Sequence, residues 1–437
     1  MAFHQQYQNF FQFKTKSVSK QSFHYLCGLM RAAKRNMERM VEKVPDADWQ
    51  SQQNFMSNSP WDSFALMNQI AHDVAAAMGP DADTCFIIDE SAITKKGNKS
   101  VGVSRQWNGR LGKVDNCQVG VFGALNCRSR VSLVDVRLFL PECWTNNKRR
   151  CQEANIPKER RTFRKKAELA LEMVAAARHN GLSFNWIGAD GFYGNDPAFL
   201  RTLDQMGETF MLDVHCDQTI YREDPKPYLP QQKSGRGRKP SRLKTDVPGI
   251  TVADWTKLQP EASWQKVFIR NSTKGQLIAK VLHQRVWLWD GKEQQAHLWH
   301  LLVSRGNNST NELKYSISNA APDTTVERLA FMQGQRYWVE RALQDGKSIA
   351  GLAEYQIRGW IGWHHHMALV MLAMLFMLTT KIKYKKEHHL LSSYDVRILL
   401  YHFLPKREIS QEEVLRQMLV RHQQRKKSIL YYSKLRT

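Results

Sequence analysis

The chain has 437 residues, too many for one small core, and its 42% hydrophobic and 24% charged residues exclude a disordered polymer. Lys and Arg number 64 against 41 Asp and Glu, a net +23 that a folded protein carries most easily against a polyanion, nucleic acid first and an anionic membrane second. The membrane is disfavoured: MAFHQQYQNFFQFKTK has no apolar leader core, and the run Met367 to Leu378 is shorter than the roughly 20 residues a span requires.

Residues 1–80 read as a helical region suited to DNA binding or dimerisation. In SNSPWD, Ser59 is placed as an N-cap, Pro60 at the first helical position and Asp62 near the helix N-terminus, with the helix running to about Met78 and stopping at Gly79-Pro80. From 81 the pattern becomes α/β. TCFIID reads as a buried strand, KKGNKSVGVSRQWNGRLGK as a tight basic turn, and Cys117–Leu125 and Val131–Leu140 as two further strands. An Ala-rich helix with a basic start, Phe163–Asn180, precedes the strand FNWIGAD. Three strands, a helix and a fourth strand is the order of an RNase-H-like core, here spanning 81–210.

Residues 211–322 carry short apolar segments between turns and read as a mostly β insertion domain; within it KSGRGRKPSRLK has no core-forming residues. Residues 323–380 return to helix as the second part of the core, and 381–437 form a basic helical C-terminal region. Cysteines at 27, 85, 117, 127, 143, 151 and 216 form no CxxC pair, which points to reduced thiols rather than a disulfide framework or structural zinc.

The acids carry the chemistry. Asp89 follows Phe86-Ile87-Ile88, and Asp190 closes FNWIGAD before Gly191, which lets the chain turn. On neighbouring parallel strands both would emerge at one sheet edge, held still as Mg²⁺ ligation requires. Alone, each is more often a strand-end turn former. Glu90 is expected on the opposite face of its strand. In RYWVERALQDGK, Arg336, Glu340 and Lys347 share one helix face, with Asp345 roughly 140° around from Glu340. Arg336 and Lys347 would flank Glu340 and reach phosphate; the bland alternative is an exposed i,i+4 ion pair.

These blocks resemble the DDE transposases of bacterial insertion sequences, and within the wider insertion sequence 4 group the insertion sequence 701 family. NFMSNSPWD is similar to that family's opening signature. IIDESAITKKGNKSVGVSRQWNGRLGKVDNCQVGVF, GADGFYG and QRYWVERALQDGK are similar to its three catalytic blocks, placing the acids at Asp89, Asp190 and Glu340. Arg336, Glu340 and Lys347 fit the group's Y-x2-R-x3-E-x6-K pattern, whereas Gln333 stands at the tyrosine position. The resemblance implies an RNase-H-like core interrupted by the β domain. It also implies a bacterial cytoplasmic, nucleoid-associated enzyme that binds terminal inverted repeats as a homodimer. It would cleave the element ends with two Mg²⁺ ions (Mn²⁺ able to substitute) and join the 3′-OH to target DNA.

Lys95, Lys96, Lys99, Arg105, Arg110 and Lys113 follow Asp89 closely and are candidate phosphate contacts, as are Arg236, Arg238 and Lys239 of the basic loop. Of Trp107, Trp144, Trp338, Trp360 and Trp363, most are expected in the core, with base stacking the alternative. His364, His365 and His366 cannot share a metal on one helix and are read as packing or phosphate-facing groups. Glu354 is the reserve for the third acid. Two rivals remain at this level: an inactive DNA-binding relic and a stand-alone nuclease of the same core.

Overall fold

A computed structural model describes residues 2–231, 239–272, 275–306 and 312–434. Among these residues the chain builds a ten-stranded mixed sheet. Its strands are β1 (Thr84–Thr94), β2 (Ser104–Asn108), β3 (Lys113–Cys127), β4 (Arg130–Leu138), β5 (Trp186–Ala189), β6 (Phe210–Val214), β7 (Gln265–Ser272), β8 (Gly275–Leu288), β9 (His297–Gly306) and β10 (Lys314–Ser318). The order is β7-β8-β9-β10-β6-β5-β1-β3-β2, with β4 also on β3. Pairing of β1 with β5 and of β5 with β6 is parallel, and the other pairings are antiparallel. The run β4-β3-β1-β5-β6 is the expected RNase-H-like core. Cys85 to Ile88 and all of β5 are buried, which is why both read as unbroken apolar runs.

Helices α1 (Ser19–Arg31), α2 (Trp49–Ser57), α3 (Ser63–Met78), α4 (Lys166–His179), α5 (Pro197–Gln205), α6 (Val326–Gln335), α7 (Tyr337–Ser348), α8 (Trp360–Lys383) and α9 (Ser393–Phe403) pack around it, and α10 (Gln411–Lys434) is largely exposed. Helix α8 is apolar and long enough to cross a bilayer, yet 89% of its apolar window is buried inside the fold, against α3, α2, α9 and β4. It is a core helix, as its sequence suggests. The three histidines at its start are packing groups and do not face phosphate. His365 lies 3.0 Å from the Met56 carbonyl and 3.1 Å from that of Trp61, and burial lowers His364, His365 and His366 to about 3, 4 and 3.

Three local expectations change. The N-cap of α3 is Asp62, whose carboxylate accepts from the N–H groups of Phe64 and Ala65 at 2.9 and 3.1 Å. Ser59 and Pro60 stay outside because Trp61 is buried against Phe11, Phe55 and His365, its ring 3.9 Å from the imidazole. The basic turn after Asp89 contains a strand, β2, paired with the start of β3. The β insertion is continuous with the core sheet: β10 pairs with β6 from Tyr315↔Val214 to Ser318↔Met211, so position 211 falls inside a core strand.

Arg236 and Arg238 lie outside the described residues, and Lys239 is exposed. The seven cysteines are all free, five of them buried.

Candidate functional site

Strands β1 and β5 run in register, Cys85↔Trp186 through Ile87↔Gly188. Two residues further along lie Asp89, midway along β1 and paired with Phe122 rather than at a strand end as expected, and Asp190, just past the end of β5; the parallel register sets them level with one another. The Asp190 carboxylate accepts from the Phe192 N–H at 3.1 Å and caps the single helical turn Gly191–Gly194. That turn lies directly on β6: a Cβ at Gly194 would stand 1.9 Å from the Asp213 carbonyl oxygen. Close approach to the Asp213 carbonyl, rather than a special turn at Gly191, is what requires glycine at position 194.

Both aspartates line a cleft of about 1270 Å³ with Glu90, Trp107, Arg110, Lys166, Phe192, Arg336, Glu340, Lys347 and Glu354. All three acids of the sequence reading thus face one space. Burial and then repulsion from Asp190 push the Asp89 carboxyl up to about 7, and burial also raises Asp190 against the pull of Arg336. Two carboxylates so placed hold their charge poorly without a cation.

Helix α7 carries the third acid. Arg336, Glu340 and Lys347 face the cleft together, while Asp345 points away to Arg341 and Ser393. Arg336 is bound at two sides, Nε to Asp213 at 2.7 Å and Nη2 to Glu340 at 2.9 Å. Burial opposes its charge, but Asp213, Glu340, Asp89 and Asp190 outweigh that and raise its pKa. Asp213, in β6, was not singled out from the sequence; only folding brings it beside a helix more than a hundred residues away. Among the described residues, no group of three or more Asp, Glu, His or Cys stands ready to hold a metal ion, and Glu340 is paired with Arg336.

Glu90 was expected away from the site, yet it lines the same cleft, paired with Lys166. Strand β5 pairs β1 only as far as Ile87, so beyond it that edge of β1 is open and both side-chain directions border the cleft. Lys166 itself was legible only as part of the basic start of α4. Glu354 is held by Arg35, through an ion pair and the Arg35 N–H at 3.2 Å.

Of the candidate phosphate contacts, Lys96, Lys99, Arg105, Arg110 and Lys113 are exposed, and Arg110 and Lys347 line the cleft. Lys95 is instead spent within the fold. Its Nζ donates to the Tyr355 carbonyl at 3.0 Å and sits 3.3 Å from that ring's centre, and burial lowers it to about 7. Trp144, Trp360 and Trp363 are core residues, Trp338 is partly buried, and Trp107 is 60% exposed at the cleft.

A family model described as DDE superfamily endonuclease matches residues 9–276, well over half of the chain. The chain belongs to the DDE superfamily endonucleases. This endonuclease is 24% identical over 344 residues to the probable transposase for insertion sequence element IS701 of Microchaete diplosiphon, covering 78% of this chain and 77% of that one. It is also similar, with a TM-score of 0.42 and 9% identity, to a cryo-EM structure of the piggyBac transposase synaptic complex with hairpin DNA, over 92% of this chain and 75% of that one. The sequence expectation of a DDE transposase akin to the insertion sequence 701 family is borne out. Enzymes of this superfamily use divalent metal. The donors here suit such an ion: hard carboxylate oxygens, one fixed within β1 and one just past β5, in a cleft where burial and mutual repulsion favour a bound cation.

Proposed function

We propose that this transposase binds the terminal inverted repeats of its element as a homodimer, hydrolyses the ends and joins the freed 3′-OH to target DNA, with Asp89, Asp190 and Glu340 as the catalytic acids. The single observation behind the residue assignment is the register-matched placement of Asp89, on β1, and Asp190, just past the parallel neighbour β5, in a cleft that α7 faces with Glu340. These three acids would hold two Mg²⁺ ions, with Mn²⁺ able to substitute. Bound metal would supply Lewis-acid activation of the attacking oxygen and stabilisation of the leaving one.

The remaining residues bind and orient. Arg110 and Lys347 lie in the cleft where phosphates beside the cut bond would pass, and Lys96, Lys99, Arg105 and Lys113 extend a basic path along the β1–β3 segment. Trp107, exposed beside the acids, offers a face for an unstacked base at the cleaved end. Such an enzyme works in the bacterial cytoplasm on nucleoid DNA.

The test is a donor plasmid carrying the element ends, incubated with the protein, target DNA and Mg²⁺. Joined products are expected. Asp190→Asn should retain end binding and lose cutting on the order of a thousandfold, the scale of removing one essential group. Cutting without joining would identify a stand-alone nuclease, and cutting retained by Asp190→Asn would refute the residue assignment.

A further inference from the structure

One guanidinium sits among four carboxylates, and it binds two of them through different edges. On the inner side, Nε of Arg336 meets Asp213. The second oxygen of Asp213 accepts from the Ser316 hydroxyl at 2.6 Å, and the Ser316 oxygen accepts from Gln333 Nε2 at 2.8 Å. Asp213 is thereby tied to β10 and α6 and cannot follow the guanidinium into the cleft. On the outer side, Nη2 meets Glu340, whose side chain is 52% exposed against 19% for Asp213. The outer contact is the more water-screened of the two and the easier to break.

We propose that Arg336 is a resident counter-cation that holds Glu340 off the metal position, and that Asp213, braced by Ser316 and Gln333, is the positioning residue that keeps Arg336 when Glu340 turns to a divalent ion. The inference rests on the metal-dependent reading of the cleft. It accounts for Glu340 facing the same space as the other two acids without completing a three-carboxylate group among the described residues. It also links the last strand of the β insertion to the catalytic helix through Ser316. Gln333 supplies the amide that fixes the Ser316 hydroxyl.

With its charge removed, Asp213 no longer retains Arg336, which then competes with metal for Glu340. Asp213→Asn should raise the Mn²⁺ concentration for half-maximal cutting by about tenfold, the size of one charge-assisted hydrogen bond, while the rate at saturating Mn²⁺ stays near that of the parent. Mn²⁺ binding to the DNA-free protein, followed by electron paramagnetic resonance, should weaken in parallel. Ser316→Ala should act in the same direction but less, and Ser316→Thr should restore the parent curve. Arg336→Gln should suppress the effect, so that the double variant needs no more Mn²⁺ than Arg336→Gln alone.

An unchanged Mn²⁺ dependence with a lost maximal rate would overturn the proposal, as would a shift in the double variant equal to that in Asp213→Asn. Should Asp213→Asn fail to fold, Ser316→Ala and its threonine rescue carry the same test. Asp89→Asn serves as the separate control: if it still cuts, the metal-dependent reading fails whatever Asp213 does.

Discussion

The two halves of the acidic site are built by different means. Asp89 and Asp190 are held by backbone, through parallel strands in register and a turn pressed onto β6 at Gly194. Glu340 is held by a side chain, through Arg336, on a helix face half open to water. Strand geometry leaves the first pair little freedom, whereas an ion pair can exchange partners without refolding. A site that must bind cations, process DNA and release it gains from having one movable acid among fixed ones.

The largest effect should come from breaking the backbone side. Gly194→Ala places a methyl group against the Asp213 carbonyl. It should cost about 3 kcal/mol of stability, as overpacked core positions do, measured by urea unfolding. A cost below about 1 kcal/mol would show that the turn can shift and that the strand pair is less fixed than its register suggests.

The open side of the cleft should respond in binding rather than in folding. Trp107→Ala should weaken binding to a frayed DNA end by about tenfold, the range of one base stacked on an aromatic ring, and leave the melting temperature unchanged. An unstable variant with normal DNA affinity would make Trp107 a packing residue.

A third experiment sharpens the electrostatic half of the contrast. The folded Asp89 carboxyl titrates at about 7 against an ordinary 3.8. The charged form is less favourable in the cleft than in water, so stability is lost as pH rises from about 4 to about 7. Without divalent metal, Asp89→Asn should therefore melt a few degrees above the parent at pH 7.5 and level with it at pH 4. Added Mn²⁺ should close the gap by stabilising the parent alone. A constant difference at all pH values would mean that Asp89 is not strained by its neighbours.

The smallest effect lies on the far face of α7. The Arg341–Asp345 pair is an i,i+4 contact with Arg341 half exposed. Arg341→Ala should cost less than about 0.5 kcal/mol and leave Mn²⁺ dependence unchanged, in contrast to any change at Asp213 on the other face.

Much of this contrast was legible in the chain. Phe86-Ile87-Ile88 before Asp89 and the buried WIGA before Asp190 marked acids on buried strands, because unbroken apolar runs occur where both faces of a strand are covered, although β1 runs on to Thr94 and only Asp190 ends its strand. Helical spacing put Arg336, Glu340 and Lys347 on one face and excluded Asp345. Other assignments needed the fold. Lys95 looks like any lysine of a basic turn until Tyr355, distant in sequence, covers it. Ser59 and Asp62 are both good caps, and the burial of Trp61 chose between them.

By itself the sequence determined the element types, the α/β core, the three candidate acids and the basic character of the surface. All of these follow from local periodicity, short spacings and charge, together with motif blocks that resemble those of a known family. Tertiary structure decided that the β insertion extends the core sheet, that Asp213 and Ser316 stand behind Arg336, and that Glu340 is paired with Arg336. Those facts depend on strand pairing and ion pairing between residues far apart in the chain, which no local pattern of residues encodes.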